Sequence, residues 1–92
     1  MTKNYVVIYD ITDSKNRYKI ARFLFEYGIR TQYSVFEVEV KNSQFNKFIG
    51  LLGRKIKKPA DKIYIYQLDK NNLKNIQRIG NYENSVIFDF FV

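Results

Sequence analysis

The chain has no cysteine and no histidine. The first absence excludes a disulfide framework, a thiolate nucleophile and a cysteine-ligated zinc or iron–sulfur centre. The second removes the commonest general base and metal ligand, so any catalysis falls to carboxylates, tyrosines, lysines and serines. Carboxylates bind hard cations, which makes Mg²⁺, with Mn²⁺ as the alternative, the metal this composition suits. Proline occurs once, and no apolar run reaches the length of a membrane span. The opening Met1-Thr2-Lys3-Asn4 leads straight into a short apolar strand without the core of a signal or transit peptide, so the expected location is cytoplasmic, with no membrane partner.

What is present is a single domain's worth of chain: 92 residues, 46% hydrophobic and 17% aromatic. That is too apolar for a disordered segment. Sixteen Lys and Arg against nine Asp and Glu leave a formal charge of +7, a strong field that favours polyanionic partners. Nucleic acid, an anionic membrane surface and an acidic protein all satisfy it, and charge alone does not choose among them.

The run Asn4 to Asp10 is β-branched and aromatic and reads as a first strand. Asp13 and Ser14 follow as capping candidates, with capping the expected work of Asp13. From Lys15 to Tyr27 the spacing predicts a helix, with Lys15, Lys19, Arg22 and Glu26 on one stripe, Ile20, Ala21, Leu24 and Tyr27 on the other, and Gly28 as its stop. Thr31 to Val40 reads as two short strands meeting at a kink or bulge near Tyr33 and Ser34. A second helix is expected from Asn42 or Ser43, carried by Phe45, Phe48, Ile49, Leu52 and Ile56 and weakened by Gly50 and Gly53. A polar loop over Lys57 to Asp61 precedes a strand from Lys62 to Leu68. This order predicts an α+β, ferredoxin-like βαββαβ domain with its core over 4–68. Residues 69–84 read as a linker with one short turn around Leu73 to Ile79. The apolar run 85–92 reads as an extra strand that needs a partner, such as a second protomer. Two helices cover one sheet face, yet the first and last core strands are apolar at odd and even positions alike, so a homodimer is expected.

Asp10 ends an apolar strand on the pleat face of Val6 and Ile8, where a carboxylate is costly unless it accepts turn hydrogen bonds, binds metal or reaches solvent. Arg17 falls on the apolar stripe in the first helical turn, placed to pair with Asp10, to grip a phosphate, or to reach out to solvent. The basic residues Lys15, Lys19, Arg22, Arg30, Arg54, Lys55, Lys57, Lys58 and Lys62 would form two ridges when doubled by two-fold symmetry, a geometry suited to a duplex backbone. The tyrosines and phenylalanines lie at core spacings and read as packing, not as stacking platforms. One Asp10 makes a poor metal site, whereas two facing copies across a two-fold axis could share a cation.

Tyr9-Asp10-Ile11, Arg17, Gly28, the run Gln32-Tyr33-Ser34-Val35-Phe36-Glu37 and the strand Ile63 to Leu68 together resemble the CRISPR-associated protein 2 family across nearly the whole chain. One departure is Val38, which follows Glu37 where many members have Gly. The resemblance implies a ferredoxin-like homodimer whose final strand joins the partner's sheet. It also implies a Mg²⁺-dependent endonuclease on RNA, single-stranded RNA among its partners, or on duplex DNA, with Asp10 as metal ligand and Tyr9, Arg17, Lys19, Arg30 and Phe36 supporting the site. A further implied role is architectural: a dimer that binds duplex DNA and bridges integrase subunits in spacer acquisition. The alternative from a different class is a non-catalytic ferredoxin-like regulatory or interaction domain.

Overall fold

The computed structural model describes residues 1–69 and the single positions 71, 75, 77 and 79. Apart from Asp69 and those positions, the expected linker over 69–84 lies outside the described residues, as does the expected dimer strand over 85–92. Among the described residues the segments follow in the order β1 (Thr2–Asp10), α1 (Ser14–Leu24), β2 (Gly28–Gln32), β3 (Val35–Lys41), a 3₁₀ turn (Asn42–Gln44), α2 (Phe45–Gly53) and β4 (Lys62–Leu68). The strands form one sheet in the order β2-β3-β1-β4, with every neighbouring pair antiparallel. This is the ferredoxin-like βαββαβ arrangement expected from the sequence.

Strand alternation decides where the core lies. Cross-strand rows such as Phe36-Val7-Ile65 and Val38-Tyr5-Gln67 share one face. On that face Tyr5, Val7, Tyr9, Phe36, Val38 and Val40 are buried together with Ile20, Ala21 and Leu24 of α1 and Phe48 and Leu52 of α2. Aromatic contacts seal the layer: Tyr5 stacks on Phe45 at 4.9 Å, and Phe48 meets Phe23 at 5.7 Å and Tyr27 at 4.8 Å. Burial raises the Tyr5 hydroxyl pKa above its ordinary value. The opposite face carries the rows Ile29-Glu37-Val6-Tyr66 and Val35-Ile8-Tyr64, and it ends at Asp10 opposite Lys62. Neither helix covers it, and Tyr64 and Tyr66 remain 46% and 55% exposed.

Three local readings change. Helix α1 stops at Leu24, three residues before Tyr27, and Gly28 is the first residue of β2 instead of a helix stop. A Cβ at Gly28 would lie 1.9 Å from the Glu37 carbonyl oxygen, so close backbone approach, not helix termination, requires glycine here. The kink at Tyr33 and Ser34 is a two-residue hairpin turn between β2 and β3, with a register shift between Arg30 and Gln32. Finally, Ile56 lies beyond the end of α2, and Ile49 is on its exposed side.

Candidate functional site

The connection from β1 to α1 is pinned from three directions. Asp13 caps α1 as its position predicts, accepting the Asn16 backbone N–H at 2.9 Å. Asn16 is buried on the inner side of α1, and its side-chain amide donates to the Lys55 carbonyl beyond α2. Asp61, also buried, accepts the backbone N–H groups of Lys58 at 3.1 Å and of Thr12 and Lys57 at 3.4 Å each. Desolvation alone would raise the Asp61 pKa. The backbone donors of Lys58, Thr12 and Lys57 and the charge of Lys58 outweigh it and hold the carboxyl below its ordinary value.

Beside this connection the start of α1 and the β2–β3 hairpin enclose a cavity of about 180 Å³, lined by Tyr9, Ser14, Arg17, Tyr18, Arg30 and Tyr33. Arg17 donates from one guanidinium nitrogen to the carbonyls of Ile11 at 3.2 Å and Thr12 at 3.5 Å, and its Cζ lies 5.7 Å from the centre of the Tyr33 ring. Arg30 places its Cζ 5.5 Å from the centres of both Phe25 and Phe36. The buried Tyr9 donates its hydroxyl to the Tyr33 carbonyl at 3.4 Å, which ties the hairpin turn to β1. Both guanidinium groups are therefore held against aromatic faces, an arrangement that favours a cation over bare hydrocarbon.

The residues expected to form one site divide among three places. Tyr9, Arg17 and Arg30 line this cavity, and Phe36, fully buried, does not line it but packs against Arg30 and Tyr9. Asp10 is exposed and, being next to Tyr9 in β1, points to the other side of the sheet. The hydrogen bonds of Arg17 go to Ile11 and Thr12, so the Asp10–Arg17 ion pair weighed from sequence is not the contact that forms. Lys19 lines a separate hollow of about 340 Å³ with Arg22, Phe23, Glu26 and Lys55. No group of three or more acidic side chains comes together to hold a metal among the described residues. Within one chain, Asp10 supplies a single carboxylate.

Sequence reasoning missed Ser14, Tyr18 and Tyr33 as cavity residues. Tyr18 is 61% exposed and Tyr33 70% exposed, so both are surface aromatics and not core packing. The signal available for Tyr33 was its place between Gln32 and Ser34 at a break in alternation. Turn residues between strands stand clear of the core.

A family model described as CRISPR associated protein Cas2 matches residues 3–76. This chain belongs to the Cas2 family. It is 38% identical over 76 residues to CRISPR-associated endoribonuclease Cas2 3 of Synechocystis, covering 83% of each chain. It is 45% identical over 62 residues to CRISPR-associated endoribonuclease Cas2 4 of Rhodospirillum rubrum, covering 67% of this chain and only 50% of that relative. Among solved structures, Streptococcus pyogenes Cas2 superposes with a TM-score of 0.73 at 29% identity, covering 84% of this chain and 99% of that one. A chain of a partial Cas6-RT-Cas1–Cas2 complex superposes with a TM-score of 0.75 at 31% identity, covering 91% and 93% respectively. The sheet order and helix placement described above are thus shared with Cas2 proteins. Among the described residues, no helix is long and apolar enough to cross a membrane.

Proposed function

We propose that this chain is a subunit of CRISPR spacer acquisition: a homodimer that binds duplex DNA and bridges integrase subunits. The observation that carries the reading is the uncovered sheet face. Val6, Ile8, Val35, Tyr64 and Tyr66 lie side by side across three strands, and among the described residues no helix lies over them. Their burial against a second copy would remove substantial apolar surface from water. Membership of the Cas2 family supports the role, and the likeness to a chain of a complex that contains Cas1 supports an integrase as partner. The helix side of the sheet remains free in such a dimer and carries Lys15, Lys19, Arg22 and Lys55, while the net charge of each protomer is +7. Duplex affinity should therefore fall steeply with salt, as counterion release requires. Equilibrium binding of a blunt duplex across a salt series tests this. No affinity even at low salt would overturn it in favour of a regulatory or interaction domain.

A second reading, a Mg²⁺-dependent endonuclease acting on RNA or DNA, is favoured by the position of Asp10. It is exposed at the end of the open sheet face, so a two-fold axis near that end brings two copies together. The fit requires the dimer, since one chain offers one carboxylate. Mg²⁺ or Mn²⁺ held by the two Asp10 side chains would neutralise charge on a phosphodiester. The relatives' description as endoribonucleases supports the activity. Asp10→Ala should abolish metal-dependent cleavage and leave salt-dependent duplex binding intact. Cleavage at the wild-type rate would remove Asp10 from the chemistry.

A further inference from the structure

The cavity between α1 and the β2–β3 hairpin has properties that neither duplex binding nor the Asp10 seam requires. We propose that it seats a single unpaired nucleotide of a nucleic-acid strand, with the base against Tyr18 and Tyr33 and the adjoining phosphate held by Arg17 and Arg30. The inference rests on the nucleic-acid reading above and adds a preference for unpaired ends.

Size comes first. About 180 Å³ is roughly six water molecules' share of liquid volume, below the ~300 Å³ at which drug-sized sites begin. One planar ring fits it, with its sugar and phosphate outside. Charge comes second: the six lining residues include two arginines and no carboxylate, so an anionic ligand meets attraction without a compensating repulsion. Third is preorganisation. Arg17 is fixed by the Ile11 and Thr12 carbonyls, and Arg30 is braced on Phe25 and Phe36. Part of the cost of ordering these side chains, above all Arg17, is therefore met before a ligand arrives. Fourth is the exposed aromatic surface. Tyr18 and Tyr33 stand 61% and 70% exposed, although Arg17 already lies over one side of the Tyr33 ring. Exposed rings beside fixed cations are the pairing that unpaired nucleotides recognise, because every base has a stacking face and every linkage a charge.

The second hollow lacks this combination. Lys19, Arg22 and Lys55 supply charge, but Glu26 opposes it, and Phe23, the aromatic in its lining, is half-buried with Lys55 Nζ 5.1 Å from its ring centre. That hollow suits a phosphate backbone in general. In a paired duplex the bases are stacked on one another and are not free to enter the first cavity.

The test compares a blunt duplex with the same duplex extended by a short single-stranded overhang, of DNA in one arm and RNA in the other. The overhang carries 2-aminopurine, whose fluorescence is quenched on stacking. The wild-type protein should bind the extended duplex about tenfold more tightly than the blunt one, with a fall in fluorescence, in at least one arm. Tyr33→Ala should lose both the quenching and the preference and keep its affinity for the blunt duplex. The proposal is overturned if wild-type protein binds blunt and extended duplexes equally without quenching, or if quenching persists in a Tyr18→Ala/Tyr33→Ala double variant. Either result leaves duplex binding standing. Failure to bind any of these nucleic acids removes both readings together.

Discussion

The two faces of the sheet are built from the same strands, and in the middle of β1 and β4 both are apolar, although β3 places Glu37 and Glu39 on the face away from the helices. On the helix side Val7, Phe36 and Val38 are wholly buried, and on the other side Tyr64 and Tyr66 keep about half their surface. For β1 and β4 the difference is not hydrophobicity. It is cover: α1 and α2 both pack on the first face, because the right-handed β–α–β crossovers place them there. In these two strands an alternation of apolar with apolar residues therefore yields one face that holds the fold and another that the helices leave open.

Changes that reach the covered face should have the largest effects. Phe48 is fully buried and meets Phe23, Tyr27 and Phe45, so Phe48→Ala should destabilise the protein by about 3–5 kcal/mol in chemical denaturation. Loss of less than about 1 kcal/mol would mean that the α2 layer contributes little to the core. Gly28→Ala comes next. The added methyl meets the Glu37 carbonyl, backbone that can move only if the β2–β3 pairing opens, so a loss of about 1–3 kcal/mol is expected. Hydrogen exchange should show that loss concentrated in β2 and β3.

How much of this was legible beforehand follows the range of the interaction involved. β1 and β4 were readable because their signals are local: a β-branched or aromatic run bounded by turn residues. Asp13 was readable as a cap for the same reason. Gly28 was misread because a glycine after a helical pattern suits a helix stop as well as a close strand crossing, and only the position of Glu37 decides between them. The break at Tyr33 and Ser34 was readable from the lost alternation, whereas the start of β2 at Gly28, three residues before Thr31, was not. Asn16 was missed because its partner, Lys55, is distant in sequence, and for Asp61 the same holds of its bond to Thr12, while its bonds to Lys57 and Lys58 are local. The candidate site was half legible. Tyr9, Arg17, Arg30 and Phe36 do gather, but Asp10 and Lys19 are directed elsewhere by strand pleat and helix face.

Asp61 braces the start of α1 without belonging to either face. Its folded pKa is lowered, so the stabilisation it gives is fully present above the ordinary carboxylate value of about 4 and is lost as pH falls through the lower folded value. Asp61→Asn should lower the thermal midpoint near pH 7 by a few degrees. It should also flatten the acid limb of the stability profile relative to wild type. An unchanged acid limb would assign that pH dependence to other carboxylates.

The smallest effect on folding should come from the open face. Tyr64 is 46% exposed on β4, beside Ile8 in β1. Tyr64→Glu should change monomer stability by no more than about 1 kcal/mol, the spread expected of strand propensities. Association should respond very differently. A two-fold interface meets the new charge twice, and loss of a buried aromatic anchor of about 2 kcal/mol alone weakens a dimer roughly thirtyfold. Sedimentation velocity should show wild type as the proposed dimer and the variant, at the same concentration, as a folded monomer. If the variant dimerises as wild type does, the open face is not the dimer interface, and the pairing of Asp10 across it fails as well.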